Sequence, residues 1–366
     1  MSGPGKVEMQ EFEIPKLEEG SILLKVEACS ICGTDKHIYL GHSPRSPFPF
    51  ILGHEVIGRI EQMDSRANEM MRVFDGELKV GDRVALVPGG KNCGECHYCL
   101  TMPNRPSFCI NRTPSYGFTS VNREPSLFGG YSEYLYVLPY SYLFKVPEDM
   151  PQKKAVLIEA AATALRAVER AYSPGEPEFN HGYGVGRSAM VLGAGGVGLL
   201  TVAALRHSGA GLIIVQDLLP SRLELAKQLG ADVVVDGNLP LEDRLEQVRE
   251  VTYGVGPDVA IEAAGVPVAF KEALDFVRRG GKLVEVGNFT NNGPTEITPY
   301  DIVFKDLDIH GSWGYPAVTF RDVISMLKQT SLPVEEVVTH VLPLEEYPRG
   351  LELTGSKDAG KVAIAP

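Results

Sequence analysis

The sequence predicts an α/β fold in which a doubly wound parallel-sheet domain is set into a second, mostly β domain. Three observations predict it. From about Lys154 onward short apolar strands alternate with amphipathic helices. A glycine triplet sits at one strand-to-helix junction of that alternation. The first 155 residues or so are instead short β-type runs broken by Gly and Pro. At 366 residues the chain exceeds one domain of ordinary size, which agrees with two.

Taken in order, SILLKVEA, EVIGRIEQM, GDRVALVP and YSEYLYVLP each end in turn residues and are expected to be strands. The charged, Met-containing stretch from about Asp64 to Leu78 interrupts two of these runs and is expected to be a surface insertion.

KKAVLIEAAATALRAVERAY then has helical spacing and leads into the Pro/Gly loop SPGEPEFNHGYGVG. SAMVLGAG, LIIVQD, DVVVD, DVAIEAAG and KLVEVG are expected strands. The helices between them are GVGLLTVAALRHSG, SRLELAKQLG, LEDRLEQVREVTYG and VAFKEALDFVRRGG. Such alternation specifies a parallel sheet covered on both faces. After about Pro294 it loosens, and the chain ends in a strand-like KVAIAP. The expected domains are 1–155 with 296–366, and 156–295 between them.

The bulk chemistry narrows the partners. With 44% hydrophobic and 22% charged residues, the balance is that of a soluble globular protein. A net charge of -12 argues against nucleic acid or an anionic membrane as main partner, since phosphate binding needs a basic surface. No apolar run reaches the roughly 18 residues of a membrane span. MSGPGKVEMQEFEIP lacks the apolar core of a signal peptide, so a cytoplasmic location is expected.

Gly193, Gly195 and Gly198 form a G-x-G-x-x-G directly after an expected strand and at the start of a helix. Alone that triplet is weak; its context makes it a dinucleotide fingerprint. Gly193 permits the tight turn, Gly195 lets backbone approach a pyrophosphate, and Gly198 allows close helix–strand packing. The diphosphate would lie at the helix N-terminus, beside Gly196 and Val197. Asp217 ends the next strand, 24 residues after Gly193. A carboxylate there can accept both adenosine ribose hydroxyls and repel a 2′-phosphate, which favours NAD over NADP. Arg222 nearby complicates this, since an arginine can stack on adenine or pair with such a phosphate. The plainer reading of Asp217 is a cap for the following helix.

Four of the six cysteines, Cys93, Cys96, Cys99 and Cys109, fall within 17 residues, in a lobe at about 90–112. In a reducing compartment such a group holds metal more readily than it forms disulfides. Four close thiolates suit a structural zinc, which leaves no open position for substrate. A zinc ribbon of a nucleic-acid module would use two separated knuckles and a basic stripe. An iron–sulfur cluster is chemically open but ranks below zinc.

CSICGTDKHIY and FILGHEVIGRI supply a second set. Cys32 offers a thiolate, His54 an imidazole and Glu55 a carboxylate. Glu159 is an acid at an otherwise apolar helix start, costly to bury without a partner. A catalytic zinc needs three protein ligands and one open position, and this set can supply them. Each residue also has a plainer reading: His54 a satisfied structural histidine, Glu55 half of an ion pair, Cys29 a small core residue.

Cys32-Gly-Thr-Asp-Lys-His37, Gly53-His-Glu55, the four-cysteine lobe, GAGGVG at 193–198 and GSWGY at 311–315 together resemble the zinc-containing medium-chain alcohol dehydrogenase family over nearly the whole chain. Cys32 to Tyr39 and Glu159 in the third-ligand position are similar to its polyol (sorbitol) and threonine dehydrogenase branch. The ethanol-oxidising branch usually has cysteine at that third position.

The resemblance implies a Rossmann domain, a GroES-like catalytic domain, NAD, one catalytic and one structural zinc, and a homodimer or homotetramer. It implies Cys32 and His54 as direct zinc ligands and Glu159 as a ligand directly or through water. Glu55 would be an exchangeable ligand or a neighbour of the shell. Asp35 would orient His54, Thr34 would hydrogen-bond the alcohol oxygen, and His37 would pass the proton towards solvent. Thr163, Ala264–Gly265 and Val286–Gly287 would flank the nicotinamide. The loop Leu40–Pro49, with His42 and Arg45, is expected to form a pocket wall, with Arg45 facing solvent. Three features depart from the family pattern: the first strand is expected to be short or missing, because the chain starts at what looks like the first hairpin; the Cys99–Cys109 spacing is two residues longer than usual; and the segments near 64–78 and 174–187 are unusual insertions.

Overall fold

The computed structural model describes the chain apart from residues 44–45, 91, 104, 112–114, 173–181 and 358, and apart from the Pro106 side chain. Arg45 and most of the 174–187 segment therefore lie outside the described residues. The chain divides into two units. One is Met1–Glu159 with Tyr315–Lys328 and Val338–Pro366; the other is Ala160–Gly314 with Gln329–Val337.

The first unit opens with β1 (Ile22–Ser30), α1 (Gly33–Tyr39), β2 (Glu55–Met63), α2 (Ala67–Met70), β3 (Arg72–Val73) and β4 (Arg83–Leu86). It continues through α3 (His97–Thr101), β5 (Tyr134–Val137), β6 (Tyr142–Lys145), α4 (Gln152–Ala155) and the start of α5 (Ile158–Ala171). The second unit follows as β7 (Ser188–Leu192), α6 (Gly196–His207), β8 (Leu212–Asp217), α7 (Pro220–Gln228), β9 (Val233–Asp236) and α8 (Leu241–Val251). Then come β10 (Val259–Glu262), α9 (Pro267–Phe276), β11 (Lys282–Glu285), α10 (Pro299–Lys305) and β12 (Asp308–Gly311). The chain closes with α11 (Thr319–Gln329), β13 (Val338–Leu342), α12 (Tyr347–Leu353) and β14 (Lys361–Ile364).

In the first unit the sheet runs β13-β14-β1-β2-β4-β6-β3, with β5 also on β1. β1 is central, so nearly all of ILLKVEACS is buried rather than alternating. Ile22, Leu23 and Leu24 are at most 1% exposed, and burying each stabilises the unit by roughly 2 kcal/mol. Register sets the chemistry. β1 and β2 pair antiparallel with Ser30 opposite Glu55, and β14 joins β1 with Ala363 opposite Ser30. The ends of three strands distant in sequence thus meet where Cys32 begins α1.

In the second unit the order is β12-β11-β10-β7-β8-β9, every pair parallel. Strand order reverses between β7 and β10, and a ligand crevice opens at the carboxyl ends of such a pair. Met190, Ile214, Val235, Ala260 and Leu283 fill the core beneath α8 and α9.

Two expectations need correction. The parallel-sheet unit runs to Gly314 rather than ending at 295, because β12 pairs in parallel with β11, Ile309 beside Leu283. It also takes Gln329–Val337. The stretch 64–78 is not simply surface: Ala67, Met71 and Leu78 are buried in the first unit's core, and β3 pairs with β6. Ahead of β1 the described chain forms only the bridge between Gly3 and Lys6.

Candidate functional site

The register described above gathers Cys32, His54 and Glu55. One ligand atom from each, a sulfur, a ring nitrogen and a carboxylate oxygen, lies within 4.8 Å of the others. Cys32 precedes the first turn of α1, and its N–H donates to Asp35 Oδ2 at 3.0 Å. Tyr131 Oη donates to the same oxygen at 2.6 Å. Asp35 Oδ1 is left facing His54 Nδ1 at 3.5 Å. Gly53, at φ +95°, lets the chain turn where a Cβ would strike the Tyr131 backbone at 2.8 Å.

The cluster is rich in anions. Asp35 is fully buried, Glu55 is 2% exposed and His54 is 7% exposed. Burial works against a charged His54, but the Asp35 carboxylate outweighs it and holds the imidazole well above its ordinary pKa. Burial, then the charge of Glu55, pushes the Glu159 carboxyl up. Glu55 accepts hydrogen bonds from Ser30 Oγ and Lys361 Nζ, and Lys361 Nζ also reaches Ile31 O at 3.3 Å. A divalent cation fits this set: it supplies the positive charge that several acids and one thiol face with a single buried lysine. Soft sulfur, borderline nitrogen and hard oxygen in one triad suit zinc.

Glu159 stands outside that triad. Its Oε1 accepts from Tyr315 Oη at 2.6 Å. Thr34 Oγ1 lies 3.5 Å from Cys32 Sγ, while His37 is half-buried, with Nδ1 3.1 Å from His42 Nδ1.

Cys93, Cys96, Cys99 and Cys109 also converge, with all four sulfurs within 4.8 Å of one another. Cys93 Sγ is 3.8 Å from Cys99 Sγ and 3.6 Å from Cys109 Sγ. Four sulfurs at the usual zinc–sulfur length of about 2.3 Å stand about 3.8 Å apart, whereas a disulfide needs about 2.05 Å. The N–H groups of Cys99 and Ile110 draw the Cys96 thiol down to about 6, while burial pushes Cys99 up to about 12. Four thiolates this close ionise together only around a cation. Gly94, at φ +78°, supplies the turn between the first two.

In the parallel-sheet unit the three glycines stand at the junction of β7 and α6. A Cβ on Gly193 would meet Ala264 at 2.6 Å, and one on Gly198 would meet Gly193 O at 1.9 Å. A Cβ on Gly195 meets nothing within 4 Å, which leaves open the space above the first turn of α6, at Gly196 and Val197. First-turn N–H groups of a helix have no partner within it, so this cradle fits a pyrophosphate. Asp217 is fixed by backbone: Oδ2 accepts from Ala194 N–H at 2.7 Å and Oδ1 from Leu219 N–H at 2.9 Å. Arg222 Nη1 is 3.9 Å from Asp217 Oδ2.

Ala264 and Gly265 donate their N–H groups to Glu262 Oε1 at 2.8 and 2.9 Å, and Val286 and Gly287 donate theirs to Glu262 O. Glu262 lies beside Glu285 across β10 and β11. Burial, then Glu285, raises Glu262 to about 8. Thr163 lies on α5, four residues after Glu159.

Several site residues escape sequence reasoning. Tyr131, Tyr315 and the Glu262–Glu285 pair carry no local signal. Lys361 does carry one: a cation heading the apolar strand KVAI has to find an anion.

Residues 18–148 match the family model described as alcohol dehydrogenase GroES-like domain, and residues 196–329 match that described as zinc-binding dehydrogenase. The chain is 33% identical to sorbitol dehydrogenase of Bacillus subtilis, over 100% of this chain and 96% of that protein. Among solved structures, an alcohol dehydrogenase of Thermotoga maritima superposes with a TM-score of 0.87 at 32% identity, covering 98% of this chain and 95% of that one. A Sinorhizobium meliloti protein solved with bound NADP gives a TM-score of 0.84 at 29% identity, covering 100% and 97%.

Proposed function

The chain belongs to the zinc-containing medium-chain alcohol dehydrogenase family, and we propose that it interconverts a secondary alcohol or polyol and its carbonyl compound, with NAD as hydride carrier. The observation that carries this reading is the convergence of Cys32, His54 and Glu55 within ligand distance. The likeness to sorbitol dehydrogenase supports the polyol class.

When bound, zinc and the dinucleotide supply acidification of an alcohol hydroxyl and acceptance of hydride. Cys32, His54 and Glu55 would hold the catalytic ion, with Glu159 acting on it through water, and Cys93, Cys96, Cys99 and Cys109 would hold a structural one. Asp35 keeps the proton on His54 Nδ1, which leaves Nε2 free as a ligand. Thr34 takes the alcohol proton at Oγ1, and half-buried His37 passes it to solvent. Gly193, Gly195 and Gly198 let backbone approach the diphosphate; Thr163, Ala264–Gly265 and Val286–Gly287 set the nicotinamide ring. Asp217 accepts from the adenosine ribose, and its charge disfavours a 2′-phosphate despite Arg222. A cytoplasmic homodimer or homotetramer is the form we propose, on the family resemblance. Among the described residues no helix is long and apolar enough to cross a membrane.

The test is steady-state turnover on polyols, simple secondary alcohols, amino alcohols and acidic hydroxy compounds, with NAD and with NADP. Polyols or secondary alcohols should rank first, with NAD preferred. Asp217→Ala should lower the NAD-to-NADP ratio of kcat/KM by about tenfold, as loss of one charge-assisted hydrogen bond implies. An unchanged ratio removes Asp217 as selector. Turnover confined to amino alcohols or acidic hydroxy compounds contradicts the substrate class. Bound zinc and NAD without turnover on any class would favour a binding homologue.

A further inference from the structure

We propose that Tyr131 is a positioning residue for the metal centre: acting through Asp35, its hydroxyl fixes the His54 imidazole and thereby raises the affinity of that site for zinc. This rests on the reading of Cys32, His54 and Glu55 as zinc ligands.

A carboxylate oxygen accepts, and Asp35 is fully buried, so the protein donors around it set its orientation. Oδ2 takes two of them, Tyr131 Oη at 2.6 Å and Cys32 N–H at 3.0 Å. Oδ1 and His54 Nδ1 have no hydrogen-bond partner within ordinary distance, and they face each other at 3.5 Å. Two donors on one oxygen stop the carboxylate from rotating, so the other oxygen stays aimed at His54. Nδ1 is thereby held as the protonated nitrogen, with the lone pair on Nε2. Cys32 N–H alone would leave the Asp35 carboxylate pivoting about one bond.

The backbone supports the same conclusion. Tyr131 N–H donates to Leu52 O at 3.1 Å and Gly130 N–H to Gly53 O at 2.8 Å, which ties Tyr131 to the segment that carries His54. A Cβ on Gly130 would lie 2.4 Å from Val56 and 2.8 Å from Cys29 Sγ, so this approach depends on glycine. The Tyr347 ring packs against the Tyr131 ring at a tilt of 36°, with centroids 4.5 Å apart. Its own hydroxyl is buried and has no hydrogen-bond partner among the described residues. Of these two packed rings, the Tyr131 hydroxyl is the one that reaches Asp35.

The experiment compares wild type, Tyr131→Phe and Tyr347→Phe as full-length, zinc-loaded protein. Zinc release is titrated with a competing chromogenic chelator, and the catalytic site is followed separately by the absorption of cobalt substituted into it. Tyr131→Phe should raise the zinc Kd of the catalytic site by about tenfold, the lower end for a partner of a ligating histidine, and leave the four-thiolate site unchanged. Tyr347→Phe should leave both sites as in wild type. A Tyr131→Phe site that holds zinc within twofold of wild type overturns the inference. So does an equal weakening by Tyr347→Phe, which would mean that ring packing is responsible. A wild-type protein with zinc only at the four-thiolate site overturns the zinc reading itself and this inference with it.

Discussion

Replacing Cys32 with serine is expected to lower kcat/KM for alcohol oxidation by about 10³-fold or more while coenzyme binding stays close to wild type. A metal acting as Lewis acid contributes several kcal/mol to such a step, and about 4 kcal/mol corresponds to that factor. Serine keeps the backbone N–H that Asp35 accepts, so α1 should still begin at the same place. It lacks the thiolate, and a neutral hydroxyl is a far poorer zinc ligand. Gly193, Gly195, Gly198 and Asp217 lie in the other unit and should keep their dinucleotide cradle. Kinetics paired with NAD titration check this. Retained turnover would remove Cys32 from the metal shell, and a matching loss of NAD binding would point to general misfolding.

Lys361→Met is expected to give the largest loss of stability. Lys361 and Glu55 are 8% and 2% exposed, and the lysine Nζ bonds the Glu55 carboxylate. In zinc-stripped protein, removing one partner of this buried pair leaves the other charge uncompensated, at a cost of about 3–5 kcal/mol. For a unit of this size that corresponds to a fall in Tm of about 10 °C. Adding Glu55→Gln removes the stranded charge and should recover most of the loss. Thermal unfolding of both variants measures it. A single variant within about 2 °C of wild type, or a double variant no better than the single, contradicts the pair's role.

Most of the fold could be read from the sequence because its strands and helices carry local periodicity. SAMVL, LIIVQD and KLVE became β7, β8 and β11, and the helices between them fell where their apolar spacing put them. The second domain boundary did not show, for a physical reason. β12 is the edge strand DIHG, whose residues are half-buried or exposed, so no apolar run marks it. The 64–78 stretch was equally hard to read. α2 is only four residues long, too short for its buried Ala67 to stand out as a period.

At the site, Cys32, His54 and Glu55 were legible because each falls in a short glycine-bounded segment. Their supports were not. Lys361 meets Glu55 across 306 residues, Tyr315 meets Glu159 across 156, and Tyr131 meets Asp35 across 96. Those pairings follow from strand register and chain return, which a local reading of sequence does not contain. Among the described residues Glu55 groups with Cys32 and His54, while Glu159 accepts a hydrogen bond from Tyr315.

The most direct measurement is zinc content per chain against turnover as a chelator strips the purified enzyme. Two zinc ions per chain are predicted, the first lost in step with activity and the second only on unfolding, with activity restored by adding zinc back. Full turnover after the first ion has gone, or activity in a protein that never held more than the four-thiolate zinc, would contradict the assignment of Cys32, His54 and Glu55 to the catalytic metal.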